Sequence, residues 1–117
     1  MTWLNKKLLL ECLYELSNRN EQLRLWLSNG SDGLEVSSFI EAYEGMYGDS
    51  GLGELLKRRE TGFSVKIEDA LIELDESLKL INGYSNPREL IDCEGMIMVR
   101  GFASTALRLI KESEGLS

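Results

Sequence analysis

Between Val65 and Ile81 the apolar side chains Ile67, Ala70, Leu71, Leu74, Leu78 and Ile81 recur three and four residues apart. Only a 3.6-residue helix gathers that spacing onto one face. A second run, from about Asp92 to Glu112, aligns Met96, Val99, Ala103, Ala106, Leu107 and Ile110 in the same way, with Met98, Phe102 and Leu109 widening the stripe. Two long helices with broad apolar faces must be covered by other elements. The second has the wider face and is expected to lie centrally.

The rest of the chain supplies helical partners. From about Thr2 to Leu16, Leu9, Cys12, Leu13 and Leu16 share one face; Trp3, Leu10 and Tyr14 form a second edge, and Lys7, Glu11 and Glu15 a narrow polar stripe. Asn18 and Glu21 have capping-box spacing for a short helix burying Leu23, Trp26 and Leu27, closed by Asn29-Gly30. After the loop Ser31-Asp32-Gly33, the residues Val36, Phe39, Ile40, Tyr43 and Tyr47 fit a third helix with its core face on those positions. Gly48, Gly51 and Gly53 predict a flexible turn, and Lys57-Arg58-Arg59 the last turn of a short fourth piece closed by Thr61-Gly62. Asn82-Gly83 stops the Val65–Ile81 helix, and Asn86-Pro87 with Glu89 starts a further one. The alternation Phe63, Val65, Ile67 admits a strand, but helix fits better. The expectation is an all-α bundle of about five or six helices forming one domain over residues 1–117.

Charge narrows the function. Thirteen basic against twenty acidic residues give a formal charge of −7. Such a surface repels phosphate backbones and anionic lipid, so neither nucleic acid nor membrane is an expected partner. It attracts basic proteins and speeds their association. No apolar stretch reaches membrane-span length, and Glu11 and Glu15 break the apolar run that follows Lys6-Lys7, so the expected compartment is the cytoplasm. Cys12 and Cys93 sit among Leu and Ile in helical patterns, and both are expected to be reduced and buried.

Catalytic signals are weak. Gly48-Asp49-Ser50-Gly51 is similar to the sequence around the nucleophile of chymotrypsin-like proteases, but that chemistry needs a base, and the chain has no histidine. Two distant cysteines do not make a zinc pattern, the Asp32-Gly33 loop lacks calcium ligands, and no phosphate-binding loop is present. The expectation is a non-enzyme without cofactor or metal. More informative are two tracts without a base. Asp32, Glu35, Glu41, Glu44, Asp49 and Glu54 lie between Arg24 and Lys57; Glu68, Asp69, Glu73, Asp75 and Glu76 lie between Ile67 and Leu78. Asp69, Glu73 and Glu76 would form one uncompensated helical stripe beside the outward Ile72 and Leu80. The candidate partner-binding residues are therefore Glu41, Glu44, Asp49, Asp69, Glu73 and Glu76.

Two stretches carry a resemblance. Ser37-Ser38-Phe39-Ile40-Glu41-Ala42-Tyr43 leads into Gly48-Asp49-Ser50-Gly51-Leu52, and Leu90-Ile91-Asp92 leads into Met96-Ile97-Met98-Val99-Arg100. They resemble segments of small acidic bacterial immunity proteins of contact-dependent growth inhibition and polymorphic toxin systems. The resemblance implies an antitoxin that blocks a cognate toxin domain, often a basic nuclease, by covering its active site or substrate surface. It transfers no catalytic residues. The alternative is a non-catalytic adaptor or regulatory subunit of a homo- or hetero-oligomer, docking through Met98, Phe102 or Trp3.

Overall fold

The computed structural model describes residues 4–27, 37–81 and 87–115. The expectations for Trp3, Asn29-Gly30, Ser31-Asp32-Gly33, Glu35, Val36, Asn82-Gly83 and Asn86 lie outside them. Seven α-helices are described: α1 Lys6–Ser17, α2 Arg19–Leu27, α3 Ser37–Glu44, α4 Leu52–Arg58, α5 Val65–Leu80, α6 Pro87–Asp92 and α7 Glu94–Ser113. A π-helical turn, Gly45–Asp49, follows α3 directly. The described residues hold no strand, and the protein is all-α.

Local chemistry sets the helix starts. Leu8 N–H donates to Asn5 Oδ1 at 3.1 Å, so α1 begins four residues later than Thr2. Glu21 N–H donates to Asn18 Oδ1 at 3.0 Å, the cap expected for α2. Ile67 N–H donates to Ser64 Oγ at 3.4 Å, which commits Val65 and Ile67 to α5 rather than to a strand. These contacts satisfy donors that a helix start leaves without partners. At the end of α4, Arg59 takes the left-handed conformation (φ 56°) and closes the helix.

One apolar core draws on every described helix. Helix α7 packs chiefly against α5 and α1, the central place expected of it. Its Met96, Val99, Ala103, Ala106 and Ile110 are fully buried with Leu71 and Leu74 of α5 and Leu9, Leu13 and Leu16 of α1. Ala103 and Ala106 offer little bulk at this contact, which suits close approach of the neighbouring helices. Each buried Leu, Ile or Met stabilises the fold by roughly 1.5–3 kcal/mol. Trp26 of α2 is also buried and meets the Phe39 ring edge-on at 5.6 Å.

Polar groups inside this core are paired. Gln22, fully buried, donates through Nε2 to the Leu16 and Glu15 carbonyls at 2.9 and 3.2 Å. Its Oε1 accepts from Arg100 Nη1 at 2.9 Å, and the same nitrogen donates to the Ile91 carbonyl at 3.0 Å. This network joins α1, α2, α6 and α7. Burial lowers the pKa of Arg100, with the charge of Arg19 adding to the effect.

Several expectations are corrected. Ile40 is 46% exposed, because α3 turns Phe39, Ala42 and Met46 inward instead. Gly53 belongs to α4 rather than to a loop. Cys93 lies between helices as the N-cap of α7 and is half-buried. Met98 is 53% exposed and does not widen the buried face of α7. Ile72 is not outward but packs against the core. Glu68, counted in the second acidic tract, is buried and accepts from the Thr61 hydroxyl at 2.5 Å, with Arg59 at 3.5 Å.

Candidate functional site: an acidic groove between two helices

Helices α1 and α3 pack side by side, and the π-turn closes against α1. Between them runs a groove of about 500 Å³. Leu8, Cys12, Leu25, Ala42 and Gly45 give it an apolar lining. Glu11 and Glu15 of α1, Glu41 of α3 and Asp49 of the π-turn complete the lining, and none of the described lining residues is basic. Glu11 and Glu15 are four apart, so one helix face presents both.

Asp49 reaches the groove through the π-turn. Continuous α-helical winding would set residue 49 about 80° around the axis from residue 41. The Ser50 N–H instead donates to the Gly45 carbonyl at 2.9 Å, five residues back. The wider turn takes up the offset and brings Asp49 towards the side of Glu41. Its end is held firmly: the Ser50 hydroxyl donates to the Met46 carbonyl, and Asn5 N–H donates to the Ser50 carbonyl at 2.8 Å. Gly45 lets the turn approach α1. A Cβ there would lie 3.2 Å from Cys12 Sγ.

The carboxylates act on one another and on the thiol below them. Burial pushes the Cys12 thiol up to about 11, helped by the charges of Glu15, Glu11 and Asp49. Burial likewise raises the Glu15 carboxyl above its ordinary value. The charges of Glu21 and Glu41 add to that rise, while a hydrogen bond from Trp26 Nε1 at 2.6 Å and the charge of Arg24 oppose it. Arg24 is itself paired with Glu21, at 3.0 and 2.8 Å. Four carboxylates and no base among the described lining residues make the groove acidic.

The six expected binding residues do not form one surface. Glu41 and Asp49 share the groove. Glu44, also exposed, lines a cavity of about 290 Å³ with Phe39, Ile40, Tyr43, Leu78 and Lys79. Asp69, Glu73 and Glu76 are exposed on α5. Asp69 is paired with Arg59 at 3.1 Å, so the stripe is not wholly uncompensated. Glu11 and Glu15 were legible only as the polar stripe of α1, since nothing in their local pattern says which helix lies alongside. Tyr43 and Tyr47 pack as expected, with rings 5.4 Å apart. Their hydroxyls donate to Asp75 Oδ1 at 2.9 Å and to the Leu71 carbonyl at 2.7 Å.

Among the described residues no group of three or more His, Cys, Asp or Glu could hold a metal ion, and no helix is long and apolar enough to cross a membrane. Fold and groove together define an all-α protein with an acidic cleft. Comparison of the chain with protein-family models, with curated proteins and with solved structures found no match.

Proposed function

We propose that this protein acts by binding rather than catalysis, that the groove between α1 and α3 receives a basic element of a partner protein, and that the partner is a toxin domain kept inactive while bound. One observation carries the reading: Glu11, Glu15, Glu41 and Asp49 converge on an apolar-floored groove lined by no base among the described residues. A lysine or arginine can lay its aliphatic stem along Leu8, Leu25 and Ala42 while its charged head meets the carboxylates. The toxin as partner is supported by the resemblance to acidic immunity proteins, and the cytoplasm is the compartment that goes with it.

The test is titration of the purified C-terminal domain of the protein encoded immediately upstream against two charge-reversed variants, at low and moderate salt. Glu41→Lys with Asp49→Lys alters the groove; Asp69→Lys, Glu73→Lys and Glu76→Lys alter α5. The groove variant is expected to lose binding, because breaking a desolvated pair costs about 2–5 kcal/mol. The α5 variant is expected to bind as wild type. Equal binding by both folded variants would remove the groove from the reading, and a neighbouring gene that encodes no toxin would remove the toxin. The adaptor reading has its own observation: Ile97 and Met98 are 62% and 53% exposed on α7.

A further inference from the structure

Helix α7 has two faces. Met96, Val99, Ala103, Ala106 and Ile110 fill the core. On the opposite side Glu94, Ile97, Met98, Gly101, Ser104 and Arg108 are all exposed. Gly101 lies at the middle of this outer face, and a Cβ built on it meets nothing within 4 Å. Glu94, Gly101 and Arg108 fall seven residues apart, close to one line along the helix.

We propose that this face pairs with the same face of a second copy, the two α7 helices running antiparallel and crossing at Gly101. The charges argue for that occupant and that direction. A two-fold axis through Gly101 sets each residue opposite the one equally far beyond the glycine in the other copy. Glu94 then faces Arg108 of the second copy, whose guanidinium holds Glu112 of its own helix at 3.1 Å and has further N–H groups to donate, and the symmetry forms that contact twice. The large Ile97 and Met98 face the small Thr105 and Ser104, so bulk meets space on both sides of the axis. A parallel pairing would oppose Glu94 to Glu94 and Arg108 to Arg108. Glycine at the crossing lets the backbones approach, as small residues do at close helix contacts. With axes about 8–10 Å apart and Cα atoms about 2.3 Å from each axis, the facing Cα atoms at the crossing come within about 3.5–5.5 Å. One helix face is less than the ~800 Å² per partner of a standard interface, so the association is weak and belongs to high protein concentration. It involves no groove residue and is independent of the toxin reading.

Sedimentation equilibrium over a concentration series should show reversible dimerisation of the wild-type protein. Glu94→Arg or Arg108→Glu alone should weaken it about tenfold or more, and the two together should restore it. Gly101→Leu should abolish it while leaving the far-ultraviolet circular dichroism spectrum unchanged. As a geometric test, Gly101→Cys in a Cys93→Ser background should form an intermolecular disulfide under mild oxidation, because its sulfur lies on the axis. Ser104→Cys in the same background, displaced from the axis, should crosslink far more slowly. A wild-type protein that stays monomeric up to its solubility limit overturns the proposal. So does association that survives Gly101→Leu, or equal crosslinking at the two positions.

Discussion

Gly53→Ala sets two physical effects against each other. In an open helix the change stabilises by about 1 kcal/mol, because glycine loses more backbone freedom on folding. Within α4, however, the added Cβ would stand 2.6 Å from the Tyr47 carbonyl oxygen, inside the 3.0 Å that real Cβ atoms respect. The obstacle is backbone, and that backbone is tied down. Tyr47 is anchored through its hydroxyl to the Leu71 carbonyl at 2.7 Å, and the following Ser50 holds both the Met46 carbonyl and Asn5. Overpacking of this kind costs about 1–3 kcal/mol, here at the upper end, which leaves a net loss of about 2 kcal/mol. For a chain of 117 residues that is a fall in Tm of about 8 °C. Gly48→Ala is the companion variant: a Cβ at Gly48 meets nothing within 4 Å. It should leave the Tm unchanged or raise it slightly. Thermal melts followed by helical circular dichroism measure both. A Gly53→Ala protein as stable as wild type would show that the π-turn shifts freely, and the account of how it holds Asp49 would fall with it.

Three further outcomes are expected. Cys93 caps α7 without a side-chain hydrogen bond, so Cys93→Ser, which restores a capping oxygen, should stabilise by about 0.5–1 kcal/mol in urea titrations. Gln22→Ala deprives half-buried Arg100 of one partner and the Leu16 carbonyl of its amide donor; it should destabilise by about 1–3 kcal/mol, and a smaller loss would mean that water replaces the amide. Glu15 holds its proton more tightly folded than unfolded, chiefly through burial. Its favourable contribution to folding is therefore complete below the ordinary carboxylate range and is lost as pH rises through the raised value. The wild-type minus Glu15→Gln difference in stability should accordingly shift against wild type across that window, and a flat difference would place Glu15 in ordinary solvent.

What was legible in the sequence follows the range of the forces involved. The stripe Ile67, Ala70, Leu71, Leu74, Leu78 and Ile81 is buried throughout, because one helix face sets its own periodicity. Capping by Asn18 and the helix begun by Pro87 are equally local. Ile40 was misplaced because a 3.6-residue phase was carried through Tyr47, whereas the chain changes winding at Gly45. No residue type announces a π-turn; its contacts, the Tyr47 hydroxyl on Leu71, Ser50 on Gly45 and Met46, and Gly53 against the Tyr47 carbonyl, come from three separate segments. The groove was half legible. Glu41 and Asp49 stood out as acids without a nearby base, but Glu11 and Glu15 join them only through the packing of α1 on α3, a contact between segments some thirty residues apart. Glu68 looked like its neighbours on α5 until Thr61 and Arg59 closed over it.

An acidic surface that only keeps a protein in solution spreads its charges or pairs them, as Asp69 is paired with Arg59 and Asp75 with Lys79. In the groove none of the four carboxylates is in an ion pair among the described residues, and only Glu15 has a side-chain donor, Trp26. Its four carboxylates line one cleft; burial raises the Cys12 thiol and the Glu15 carboxyl there, and the charges of Glu15, Glu11 and Asp49 add to the first rise as that of Glu41 adds to the second. Like charges in one cleft work against folding of the free protein, and on the proposed reading a cation that enters reverses the sign, since the carboxylates then meet a counter-charge in a partly desolvated site. Stability and binding must therefore move in opposite directions there. Glu11→Gln with Glu41→Gln should raise the Tm while slowing and weakening association with a basic partner, a trade expected where a site is strained for function. On α5 the signs differ: Asp69→Asn removes an ion pair with Arg59 and should leave stability unchanged or slightly lower, with binding unaffected. A groove variant that gains stability and binds undiminished would make the clustered charge a cost without a function.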